Sequence, residues 1–133
     1  MSNNLFPLDS LEKWFKAHEK KVLSDFFKFL QFQSISTDRS YRQEIIKSAD
    51  WLKLYLSDLD FEVEQWTGEG NPVIFATNLK AGKEKPTLLI YHHYDVQPVD
   101  PEDLWLSPAF TATIKDERVY ARGAQDNKGQ CFY

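Results

Sequence analysis

The chain has 133 residues, 42% of them hydrophobic and 15% aromatic, which suits a single packed domain and excludes a disordered one. Its net charge of −4 offers no basic face to a phosphate backbone, so nucleic acid is not an expected partner. No apolar run approaches the ~20 residues that cross a bilayer, and the opening MSNNLFPLDS has no secretory pattern. With Cys131 as its one cysteine, the chain is expected in a reducing, cytoplasmic setting without membrane association.

In chain order, the spacing predicts a helix from about Asp9 to Phe32. Leu11, Trp14, Phe15, His18, Val22, Phe26, Phe29 and Leu30 recur at helical steps, and Asp9 with Glu12 forms a capping box. His18 is expected at the edge of the core rather than as a ligand. After the turn-forming SISTDRS, a second helix is expected with Ser40 and Gln43 as its cap and Ile45, Ala49, Leu52, Tyr55, Leu56 and Leu59 as its buried side. FEVEQW alternates as a half-buried strand does, and VIFATNL follows TGEGNP as a second strand. TLLIY is apolar on both faces, as strands inside a helix-covered sheet are. The reading is therefore an α/β layered domain. PVDPEDLWLSPAF reads as a loop anchored by Trp105 and Phe110, with Asp100, Glu102 and Asp103 in solvent. FTATIKDERVYARG reads as short strands joined around Asp116 and Glu117. Arg122 and Lys128 are expected in ordinary ion pairs or in solvent.

Chemistry concentrates in LLIYHHYDVQP and VYARGAQDNKG. In an extended segment side chains two apart share a face, so His93 and Asp95 point together and His92 points away with Tyr94. A metal-binding histidine presents its other ring N–H to a carboxylate or carbonyl, and Asp95 is placed to receive it from His93. The pair also sits at the carboxyl end of a strand, where sites gather in open α/β sheets. The plainer alternative is that both histidines end a strand in solvent. Asp126 has the same two readings: a carboxylate for one or two hard cations, or the cap of a following helix.

HYDVQPVDPEDLW, SPAF and ARGAQDNKGQ, in this order and at this separation, resemble the N-terminal part of the M20 family of metallopeptidases. That family includes aminoacylases, succinyl-diaminopimelate desuccinylases and carnosinase-like dipeptidases, and the match looks most like the dipeptidase branch. The resemblance spans essentially the whole chain and is strongest from Leu88 to Gln130. It implies a layered helix–sheet–helix catalytic domain, of which residues 1–133 would be the first segment. It also implies hydrolysis of peptide bonds in dipeptides or small peptides with a free carboxylate, using a pair of zinc ions that cobalt or manganese could replace. His93 would be a ligand to one zinc, Asp126 the carboxylate bridging both, and Asp95 the supporting carboxylate near the active site. A cis peptide would follow Asp126.

Family members often pair as homodimers through an inserted domain, and take their general base from a Glu-Glu pair beyond DNKG. The sequence stops at Tyr133 before either, so the chain alone is expected to be inactive. The alternative is a remnant or interaction module that keeps the fold without binding metal. Two positions depart from the pattern. His92 stands where the family has glycine, and Glu117 where a glycine eases the turn after Asp116.

Overall fold

The computed structural model describes residues 8–133. Helix α1 spans Leu8–Gln31 and helix α2 spans Arg42–Asp58. Strands β1 (Glu62–Trp66) and β2 (Val73–Thr77) form an antiparallel hairpin with Glu64 opposite Phe75, and α2 packs against both. Strands β3 (Thr113–Lys115) and β4 (Arg118–Tyr120) form a second antiparallel hairpin, and a short helix α3 covers Lys128–Phe132.

The core lies where α1, α2 and α3 meet. Phe26, Phe29 and Leu30 are the buried residues of α1, while Ile45, Ala49 and Leu52 are buried on α2. An aromatic chain stitches the helices together. Phe29 stacks on Trp51, Trp51 on Tyr55, Tyr55 meets Phe132, and Phe132 stacks on Phe26, with ring centroids 4.8–5.4 Å apart. Each such pair adds about 0.5–1.5 kcal/mol beyond the area it buries.

Helix α2 ends in a Schellman arrangement. The Phe61 N–H donates to the Leu56 carbonyl at 3.1 Å and the Asp60 N–H to that of Ser57 at 3.0 Å, with Asp60 left-handed at φ 69°.

Several expectations are corrected. Asp9 lies inside α1 rather than capping it. The apolar stripe is buried only in the second half of the helix, since Leu11, Trp14 and Phe15 are exposed. His18 is exposed too; its ring stacks on Trp14 at 4.5 Å, and its Nδ1 lies 2.7 Å from the Trp14 carbonyl, so it is not at the core's edge. Ahead of α2, Asp38 rather than Ser40 supplies the capping oxygen, accepting from both the backbone N–H and the hydroxyl of Ser40 at 2.8 Å. Leu59, expected on the buried side of α2, is exposed.

The largest correction concerns TLLIY. It forms no strand, and Leu88 and Leu89 are 82% and 84% exposed. A strand exists through its ladder partners, and among the described residues none flanks this stretch. What remains of a parallel pairing is the bridge between Ile35 and Val96. The α/β character stands, carried by the helices and hairpins. No helix among the described residues is long and apolar enough to cross a membrane.

Candidate metal centre

Residues 93–96 are held by the link that follows α1. The Val96 N–H donates to the Ser34 carbonyl at 2.9 Å, and the Ser34 hydroxyl donates to the Tyr94 carbonyl at 2.8 Å. Side chains alternate from this anchor. Tyr94 turns inward and donates its hydroxyl to the Pro72 carbonyl at 2.5 Å; burial first, then the nearby Asp95 and Asp50 charges, push its pKa up to about 12. His93 and Asp95 face the other way, with the His93 Nδ1–H donating to Asp95 Oδ1 at 3.0 Å. The other oxygen of Asp95 accepts a hydrogen bond from the Ser36 hydroxyl.

Asp126 arrives from the turn after β4. Gly123 makes this turn possible: its φ is 81°, and a Cβ there would come 2.7 Å from Val96 Cγ1. The Asp126–Asn127 peptide is cis. Asn127, not Asp126, occupies the cap position of α3, so the carboxylate is not spent on that helix. Instead Asp126 Oδ1 lies 3.1 Å from His93 Nε2, bringing together residues 33 positions apart.

The donor chemistry of this contact tests a metal. Asp95, as a carboxylate, can only accept, so the His93 proton resides on Nδ1. Nε2 then presents a lone pair to another acceptor, Asp126 Oδ1. Two acceptors facing each other repel unless a second proton or a metal cation lies between them. An imidazole nitrogen and a carboxylate oxygen are both ordinary zinc donors, and the Asp95 partner is of the kind such histidines carry. The residues fit the group as part of a shell. Among the described residues no cluster of three or more histidine, cysteine, aspartate or glutamate side chains forms, so the pair supplies only some of the roughly four ligands zinc takes.

Beside the pair, a cleft of about 530 Å³ reaches His92, His93 and Asp95 from an apolar side that includes Ile45, Leu52 and Phe61. His92 does not crowd His93; its Nδ1 lies 3.1 Å from Asn127 Oδ1. Trp105 anchors its loop, donating from Nε1 to the Val99 carbonyl at 2.9 Å with the Arg122 guanidinium over its ring.

Sequence reasoning missed the roles of Ser36 and Lys128. Ser36 lay in a stretch legible only as a turn, and nothing local announces a partner 59 positions on. Lys128 was expected in solvent or in an ion pair, yet it is fully buried, donating to the carbonyls of Phe29 at 3.0 Å and Phe32 at 2.6 Å. Burial lowers its pKa to about 7, against the opposing pull of Cys131, Glu44 and Asp95. The end of α1 exposes unpaired carbonyls and the negative pole of its dipole, which is the attraction that brings a lysine inside.

The sequence profile of Peptidase family M20/M25/M40 matches residues 89–133, the stretch that carries His93, Asp95 and Asp126. The fold agrees over a longer span. The crystal structure of human carnosine dipeptidase 1 superposes with a TM-score of 0.80 at 26% identity, covering 94% of this chain and 29% of that one. The chain is similar to the N-terminal part of M20 family peptidases. An M20 family metallo-carboxypeptidase from Sulfolobus solfataricus is 41% identical with a TM-score of 0.73, covering 84% of this chain and 24% of the other. The Cys-Gly metallodipeptidase dug1 of Schizosaccharomyces pombe is 30% identical over 133 residues, 90% of this chain and 28% of that protein. The chain thus spans less than a third of each of these M20 relatives.

Proposed function

We propose that the chain contributes His93 and Asp126 to a zinc site of a peptidase that cleaves dipeptides or other small peptides with a free carboxylate. The observation that carries this reading is the 3.1 Å approach of His93 Nε2 to Asp126 Oδ1, with the His93 Nδ1–H donating to Asp95. Its support from relatives is the match to M20 peptidases, among them proteins named as dipeptidases. A divalent cation at such a site acidifies water and polarises a carbonyl, and a second one shares that load. The chain's own part is positional. Asp95 keeps the Nδ1 proton in place so that Nε2 keeps its lone pair for a cation, and the bonds from Ser34 fix the backbone of the segment that carries both residues. Asp126, with 79% of its side chain exposed, keeps both oxygens available to a shared cation pair. A cytoplasmic location fits the free Cys131.

The test is peptidase activity of the intact protein. Asp126→Ala and His93→Ala are expected to abolish zinc-dependent dipeptide hydrolysis, and zinc-dependent activity retained by His93→Ala overturns the assignment. A second reading, an interaction module that keeps the fold without metal, draws on the exposed apolar side chains of Leu88, Leu89, Ile90 and Tyr91. Zinc titration separates the two: micromolar or tighter binding that His93→Ala removes counts against the module.

A further inference from the structure

We infer that Ser36 is a positioning residue for the metal centre, a reading that rests on the proposed zinc role of His93. Its hydroxyl donates to Asp95 Oδ2 while Oδ1 of the same carboxylate accepts the His93 Nδ1–H. The two oxygens are therefore engaged from different sides. The carboxylate plane, which would otherwise turn about the Cβ–Cγ bond, is held where one oxygen meets the imidazole.

The donor itself is fixed in place. The Ile35–Val96 bridge and the Ser34 bonds to Tyr94 and Val96 align residues 34–36 alongside residues 94–96. Two positions apart and on one face of this short pairing, the two serines meet different partners. Ser34, fully buried, satisfies backbone, whereas Ser36, half-buried, reaches a side chain of the site. The Asp95 backbone carbonyl lies 3.2 Å from the same Nδ1, and by holding the side-chain oxygen beside it Ser36 reinforces the tautomer of His93 in which Nε2 carries the lone pair. Outer partners of this kind hold ligand orientation, and their loss costs about 10–100-fold in metal affinity. Ser36 stands one bond further out, so the lower end of that range is expected.

The test compares Ser36→Ala and Ser36→Thr with wild type in the intact protein, with two readouts. The first is the imidazole 15N signature of His93 in metal-free protein, at a pH where the ring is neutral, assigned by its loss in His93→Asn. Wild type and Ser36→Thr are expected to show the Nδ1–H tautomer, and Ser36→Ala a mixture with more Nε2–H. The second is competition for zinc chloride against a chromophoric chelator, in which Ser36→Ala is expected to bind about tenfold more weakly and Ser36→Thr to restore affinity. Should Ser36→Ala fail to fold, Ser36→Cys gives the same comparison, because the thiol is a weaker donor of similar size. An unchanged tautomer in Ser36→Ala or Ser36→Cys overturns the role. If wild type binds no zinc while the tautomer still shifts, the metal reading falls and the orienting role of Ser36 stands.

Discussion

The ammonium nitrogen of Lys128 lies 2.6 Å from the carbonyl oxygen of Phe32, 96 positions earlier. The residue two places after Asp126 is thereby fastened to the C-terminal end of α1, and the turn that carries the candidate ligand is tied to the core.

The burial of Lys128 sets a pH dependence. The folded pKa of Lys128, about 7, lies below its ordinary 10.5, so between these values the unfolded chain binds a proton that the folded chain lacks. Stability contributed by this group therefore rises with pH across that window, by up to about 1.4 kcal/mol per pH unit. Urea unfolding of wild type and Lys128→Met, repeated from neutral pH to about pH 10, is expected to show the rise in wild type alone. Parallel pH profiles would remove the basis for it.

Asp116 and Glu117 join β3 to β4 with φ of 49° and 59°, the two left-handed residues of a tight hairpin turn. Glutamate pays a steric penalty there that glycine does not. Glu117→Gly is expected to raise stability by about 1 kcal/mol, read as a higher melting temperature with an unchanged circular dichroism spectrum. A lowered melting temperature contradicts the turn assignment.

Gly123 has the opposite sensitivity. Alanine would add a Cβ at φ 81° and force it against Val96, one of the buried residues behind the His93 segment. Gly123→Ala is expected to cost about 2–4 kcal/mol, combining backbone strain with overpacking. The measurement is the shift of the urea midpoint, and a loss below about 0.5 kcal/mol, the size of an ordinary surface change, rejects the close approach.

Cys131 should be chemically quiet. Burial pushes its pKa up to about 11, although the neighbouring Lys128 pulls it the other way. At pH 8 the thiolate fraction is then on the order of one in a thousand. Iodoacetamide is expected to modify the folded protein more slowly than the urea-unfolded one, and equal rates refute the half-buried placement.

Elements built from local patterning were legible in the sequence. The helical steps of Phe26, Phe29 and Leu30 and the alternation around Val63 depend on neighbours a few positions away, and they formed as expected. The pairing of His93 with Asp95 was equally readable, being two residues apart in an extended segment. Long-range partners were not. Ser36 meets Asp95 and Lys128 meets the end of α1 through tertiary packing, which leaves no trace in spacing. TLLIY shows the converse: its composition is that of an interior strand, but a strand's existence is settled by what lies beside it. The exposed first half of α1 follows the same rule, since Leu11, Trp14 and Phe15 carry the right period with no described surface against them.

The bare stretch from Leu88 to Tyr91 has a colloidal consequence. Four large apolar side chains in a row, without a ladder partner, make a template for self-association between molecules. Ahead of them, separated by Thr87, stand Lys83, Glu84, Lys85 and Pro86, charges and a ring that act as gatekeepers against that stacking. Neutralising those three charges is expected to raise aggregation, read as light scattering, with the chemistry of the histidine untouched.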